Sequence, residues 1–154
     1  MLAPSPAAES AMDALLHEGG CHCGRLRWQF TTTMALADVV PRACDCDYCT
    51  RHHAAWVSDP AGQLRVQASA AKLQRYRQGS GQAEFLLCRD CGVLVAVIAH
   101  SDDGRLLGAV NRNAFAQRDA FMAETVVSPQ RLAAETRLER WSQLWAPAEL
   151  DSEA

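Results

Sequence analysis

The seven cysteines of this 154-residue chain fall into three short clusters and occur nowhere else. The clusters are Gly20-Cys21-His22-Cys23-Gly24, Cys44-Asp45-Cys46-Asp47-Tyr48-Cys49 and Cys88-Arg89-Asp90-Cys91-Gly92. An odd count leaves one thiol over in any disulfide framework, whereas metal ligation obeys no parity rule. In a C-x-x-C unit the chain turns tightly enough for both sulfurs to reach one ion at about 2.3 Å each. Gly92 permits the left-handed backbone that such a turn needs. A C-x-C unit on a straight strand holds its sulfurs too far apart, and the glycines on both sides of Cys21-His22-Cys23 supply the bend. Cys21, Cys23, Cys88 and Cys91 then make a closed, four-thiolate site, the donor set of a structural zinc that contributes folding energy outright.

Cys44, Cys46 and Cys49 remain, and two readings stand side by side. Three protein ligands with one open position is the pattern of a catalytic zinc. Alternatively His52 or His53, close by in sequence, completes a second structural site. His22 and His100 are expected as surface or hydrogen-bonded histidines, and the four tryptophans as core or helix-packing residues. Tyr48, between two ligands, either touches a bound ligand with its hydroxyl or packs with its ring. Asp45 and Asp47 either accept from backbone amides of the loop or act on protons at the site.

The elements that must carry these clusters read as strands. Leu26, Trp28 and Phe30 alternate with Arg25, Arg27 and Gln29, the period of a half-buried strand. Val39–Ala43, interrupted by Pro41, reads as an edge strand. Ala54–Ser58, Leu64–Gln67, Leu73–Arg77, Glu84–Leu87 and Leu106–Val110 follow, punctuated by Asp59-Pro60-Ala61-Gly62, Gly79-Ser80-Gly81 and Asp102-Asp103-Gly104. Val93–Ala99 is a continuous apolar run, expected to be covered on both faces. Ser128 and Pro129 suit the start of a helix, and Leu138, Trp141 and Trp145 share one face of it before Pro147. The expected layout is a tail over residues 1–18, with a weak helix at most near Ala11–Leu16, then one zinc domain over 19–147. The domain includes a C-terminal helix at 129–145, and 148–154 is a second tail. The whole is a mainly β domain with one late helix.

Composition narrows the function. Net charge is −3, and Lys72 is the only lysine among 15 basic residues. No basic stripe is available to displace counterions, so an electrostatic nucleic-acid partner is not expected. No apolar run approaches the roughly 20 residues that cross a bilayer, and residues 1–20 lack a signal-peptide pattern. A cytoplasmic, reducing location is the expectation.

In the three cysteine motifs, with Tyr76 and Phe85 ahead of the last, the sequence resembles the glutathione-dependent formaldehyde-activating enzyme family, also called the GFA or centromere-protein-V family, over roughly Gly19 to Phe115. The resemblance implies a β-tent of small antiparallel sheets around a structural zinc at Cys21, Cys23, Cys88 and Cys91. It also implies a thiol-substrate site at Cys44, Cys46 and Cys49. The activity it implies joins formaldehyde to glutathione as S-hydroxymethylglutathione, formally a carbon–sulfur lyase reaction. The chain departs from the family pattern in two places. Thr50-Arg51-His52-His53-Ala54 stands where the family often has Arg-Arg-x-x-Gly, and Ala83-Glu84 where a basic residue is frequent.

The mechanistic expectation is a small-molecule thiol, glutathione-like, taken as the fourth ligand of the open zinc and presented as thiolate to an aldehyde. His52 or His53 would carry the proton to or from the hemithioacetal oxygen, and Arg51 or Arg89 would clamp a substrate carboxylate. The competing expectation is a non-enzymatic zinc module for binding or redox buffering, its three-cysteine loop able to lose metal on oxidation. Chromatin association is disfavoured by the acidic balance.

Overall fold

A computed structural model describes residues 14–153. Eleven strands, two short helices and three single 3₁₀ turns make a mainly β architecture. The strands are β1 Leu15–Gly20, β2 Arg27–Thr32, β3 Arg42–Cys44, β4 Trp56–Val57, β5 Gln63–Ser69, β6 Leu73–Arg77, β7 Ala83–Cys88, β8 Leu94–His100, β9 Leu106–Asn111, β10 Thr125–Val127 and β11 Ala146–Glu153. Helix α1 is Asp47–Arg51 and helix α2 is Ala134–Leu144.

The strands run β1-β2-β5-β11-β9-β4-β3-β10, and β8, β7 and β6 branch from β9. Strand β11 joins the two halves of the tent. Its first residues, Ala146 and Pro147, pair antiparallel with β9, and Ala148–Glu153 then pair with β5. The β11–β5 and β10–β3 pairings are parallel, so the sheets are not wholly antiparallel as expected.

Periodicity succeeds where one face is buried and the other wet. On β2, Trp28, Phe30 and Thr32 are buried while Arg27 is exposed. Trp28 packs on Phe115 with ring centroids 4.4 Å apart. Strand β8 is buried along Leu94–Ala99. Its Val95 and Ile98 enter one apolar cluster with Trp28 and Leu64, and its Val97 and Ala99 enter another with Trp56, Phe85 and Trp145. The first cluster lies beside the four-cysteine site and the second beside the three-cysteine site.

Several expectations are corrected. The tail placed at 1–18 already contains β1, whose six residues pair with β2, so order precedes Glu18. The weak helix expected near Ala11–Leu16 falls partly outside the described residues, and Leu15 and Leu16 are strand. Residues 148–154 are not a tail, since the backbone of β11 is held by β5 over Ala148–Glu153. The helix at 129–145 is split: Pro129–Arg131 is a 3₁₀ turn, Leu132 is extended, and α2 begins only at Ala134. Ser128 makes no capping bond, because its hydroxyl is given to Asp45 instead. Pro41 lies just ahead of β3, which sits between β4 and β10 rather than at an edge.

Candidate metal centres and cavity

Cys21, Cys23, Cys88 and Cys91 converge, their four sulfurs within 4.8 Å of one another. Cys21 Sγ lies 3.6 Å from Cys23 Sγ, which lies 3.5 Å from Cys88 Sγ. Four sulfurs at about 2.3 Å from one tetrahedral ion would stand roughly 3.8 Å apart, so the spacing suits a single zinc-sized ion. The turn geometry is the expected one. Gly24 and Gly92 adopt φ of +84° and +76°, and Gly92 N–H donates to the Cys88 carbonyl at 2.9 Å. Leu26 N–H donates to Cys21 Sγ at 3.3 Å, as backbone amides do to ligating thiolates.

Charge around this centre is arranged to tolerate thiolates. Hydrogen bonding from the Arg25 backbone and guanidinium holds the Cys23 thiol at about 6. Asp90, between Cys88 and Cys91, bridges Arg25 at 3.0 Å and Lys72 at 3.0 Å. The single lysine of the chain is thus spent beside the closed centre.

Cys44, Cys46 and Cys49 form the second convergent set, again within 4.8 Å. Cys44 ends β3, Cys46 caps α1 by accepting from Cys49 N–H at 3.3 Å, and Cys49 is buried inside α1. Hydrogen bonds from the Cys44 and Cys49 thiols pull Cys46 far below the usual thiol range. The same contacts, with burial, push Cys49 up, and contact with Cys46 lifts Cys44 to about 11. One thiolate is favoured in this crowd and the others resist ionising next to it. Full deprotonation therefore calls for a cation, and the soft sulfur donor set suits zinc.

Among the described residues no histidine nitrogen joins either set. His52 caps the end of α1 and packs against Tyr48 with tilted rings, centroids 4.8 Å apart. His53 is exposed, holds a φ of +49°, and has its carbonyl fixed by Asn113 Nδ2–H at 2.9 Å. It lines a small pocket of about 220 Å³ that Cys44 and Cys49 also line. Arg51 is exposed and paired with Asp47 at 3.0 Å, and Arg89 donates to the Leu73 carbonyl at 3.1 Å. Neither arginine lines a cavity with the three cysteines.

Of the two roles open to Tyr48, ring packing is what the structure displays. Its ring lies 5.0 Å from that of Tyr76 and 4.4 Å from that of Phe85, and its buried hydroxyl has no partner among the described residues. Burial pushes that phenol up to about 12. Asp45 accepts from Ser128 and Gln130 side chains rather than from its own loop.

A cavity of about 600 Å³ opens above the three sulfurs. Strands β3, β4, β7 and β8 form its floor through Cys44, Trp56, Phe85 and Val97, and α2 with the turn before it forms the roof. Trp141 and Trp145 stack in that roof, centroids 4.5 Å apart. Three arginines line it, namely Arg42, Arg137 and Arg140. The sequence reading missed all three. Arg42 was visible in principle, because a residue two before Cys44 on a strand shares its face. The roof arginines lie more than 80 positions from the cluster and leave no local signal.

A mainly β tent whose two cysteine clusters can each hold a metal ion defines the class. The family model for the glutathione-dependent formaldehyde-activating enzyme matches residues 16–130, and the chain belongs to that family. It is also similar to a solved Rhodobacter sphaeroides protein, at 25% identity and a TM-score of 0.52. That match covers 70% of this chain and 99% of the other. Among the described residues no helix is long and apolar enough to cross a membrane.

Proposed function

We propose that the chain is a zinc-dependent carbon–sulfur lyase-type enzyme that forms or cleaves a thiol–aldehyde adduct such as S-hydroxymethylglutathione. The observation that carries this reading is the contrast between its two centres. Four sulfurs close the first, whereas three sulfurs face a cavity at the second and, among the described residues, no histidine joins them as a ligand. A zinc ion held by Cys44, Cys46 and Cys49 would favour the thiolate form of a substrate thiol.

The chain's own residues supply the rest. The cavity offers an adduct at the sulfur face a largely apolar wall through Trp56, Phe85 and Trp145. In the forward direction a sulfur–carbon bond forms, the carbonyl π bond breaks, and the thiol proton ends on the new hydroxyl. His53, which lines a smaller pocket together with Cys44 and Cys49, is the histidine assigned to carry that proton. His52 serves by holding Tyr48 and the end of α1, and Arg51 by closing α1 through Asp47.

The test is the rate of exchange between formaldehyde, glutathione and their adduct, read by magnetisation-transfer NMR with metal-replete protein. Acceleration over the spontaneous rate, lost in Cys46→Ser, supports the reading. No acceleration with glutathione or any of a panel of small thiols overturns it and leaves a metal-binding module.

A further inference from the structure

The chemistry of the large cavity is uneven. Trp56, Phe85, Val97, Trp141, Leu144 and Trp145 give it an apolar, largely aromatic interior. Against three lining arginines stands one lining carboxylate, Asp47, which is exposed and already paired with Arg51. The three arginines are not equivalent. Arg137 is fully engaged: it donates to the Pro129 and Leu132 carbonyls and to the side-chain oxygens of Ser80 and Gln82. Arg140 is exposed at the rim.

Arg42 is half-buried inside. Its Nη2–H donates to Ser58 Oγ at 2.6 Å, and the Ser58 hydroxyl donates in turn to the Leu144 carbonyl at 2.7 Å. Among the described residues it has no carboxylate within salt-bridge distance and no hydrogen bond to a sulfur of the nearby cluster. A guanidinium withdrawn from water without a counter-ion is destabilising. Among the described residues no acidic side chain forms a salt bridge with it. Ser58 fixes the fork in one orientation, which is the pre-organisation that planar recognition of a carboxylate requires.

We propose that Arg42 is the anion-binding group of a substrate subsite, so that the cavity takes a monocarboxylate with an apolar or aromatic body. The carboxylate meets the Arg42 fork and the body lies against Phe85, Trp141 and Trp145. Because Arg42 and Cys44 share one face of β3, about 6.6 Å apart along it, a thiol acid of short span reaches both the guanidinium and the sulfur cluster. Much of the subsite lies past residue 130, where the family match ends, since Arg137, Trp141, Leu144 and Trp145 all come from α2 and its end. The inference deepens the function proposed above by naming a substrate class, and it rests on the cavity rather than on thiol chemistry.

Metal-replete, full-length protein is titrated with 3-phenylpropionate and with 3-phenylpropionamide, following tryptophan fluorescence and calorimetry. The acid is expected to bind at least tenfold more tightly than the amide. Arg42→Met should abolish that preference, Ser58→Ala should reduce it several-fold, and Arg118→Met, exposed elsewhere, should keep it. Equal binding of acid and amide, binding of neither, or a preference that survives in folded Arg42→Met overturns the proposal. If Arg42→Met does not fold, the wild-type comparison and Ser58→Ala decide. Neither probe carries a thiol, so the preference persists if the lyase reading fails. Turnover of glutathione adducts without this preference removes the subsite alone.

Discussion

The Asp45 carboxylate accepts the Ser128 hydroxyl hydrogen, and this bond ties the residue between two cysteines of the open centre to the segment that begins the cavity roof. Gln130 Nε2–H adds a second bond to the same carboxylate at 3.1 Å, and Asp45 N–H donates to the Val127 carbonyl at 3.0 Å. Hydrogen bonds to a charged group contribute about 1.5–3 kcal/mol, but here the Ser128 bond is only half-buried and the Gln130 bond is exposed. Asp45→Ala is therefore expected to lower stability by about 1–2 kcal/mol in urea denaturation of metal-replete protein. Ser128→Ala should cost less, and the two together less than their sum, as for residues sharing one contact.

The two metal centres should fail differently. Cys88 belongs to the closed set that clamps the turn after β1 to the hairpin after β7, with Cys21 and Cys88 buried in the main core. Cys88→Ser is expected to lose one metal equivalent together with cooperative unfolding, seen by circular dichroism and elemental analysis. Cys46→Ser should lose one equivalent while keeping the strand signal.

Removing residues 146–153 distinguishes a strand from a tail. A tail would come off with no effect. The observed β11 provides the bridge between β9 and β5, and its Ala146 is fully buried. The truncated chain is expected to be insoluble or molten, checked by near-ultraviolet dichroism.

The histidines make a sharper case. With His52 against Tyr48 and His53 in the separate small pocket, His52→Ala and His53→Ala are each expected to leave bound metal at two equivalents. X-ray absorption should count no imidazole nitrogen at either centre. A nitrogen that disappears in His53→Ala would instead show a closed second site.

His17 introduces a dependence on acidity. Its ring centroid lies 6.4 Å from that of Phe115, its buried Nε2 has no partner among the described residues, and burial lowers its pKa. A base whose folded pKa is depressed binds its proton more readily when unfolded. Stability is then unaffected above the ordinary value of 6.5 and is lost as pH falls through it. Between pH 7.5 and 5.5 the melting temperature of His17→Leu should fall less than that of the wild type.

Local patterns were readable and distant ones were not. The cysteine clusters declare themselves because ligand spacing and the glycines beside it are set within five or six residues. Strands β2, β5 and β8 declare themselves because the periods of Arg27–Thr32 and Leu64–Gln67, and the apolar run at Leu94–Ala99, reflect one- or two-sided burial. Strand β11 is Ala-Pro-Ala-Glu-Leu-Asp-Ser-Glu, poor in strand formers, and its conformation is imposed by the edge of β5. Ser128 looked like a helix cap because that residue type suits the role, yet a carboxylate 83 positions away claimed its hydroxyl. The roof of the cavity escaped for the same reason: its partners in space are remote in the chain.

The order of the segments along the chain also sets a schedule. Both metal centres are complete once Cys91 has been made, whereas the roof and β11 come from the last thirty or so residues. During synthesis from the N-terminus the sulfurs of the open centre therefore stay uncovered until residues 128–153 have been added. Metal can be loaded onto an accessible surface before the roof is drawn over it by the pairing of β11 with β5. Pairing between segments so far apart is slow to form, and this prolongs the interval.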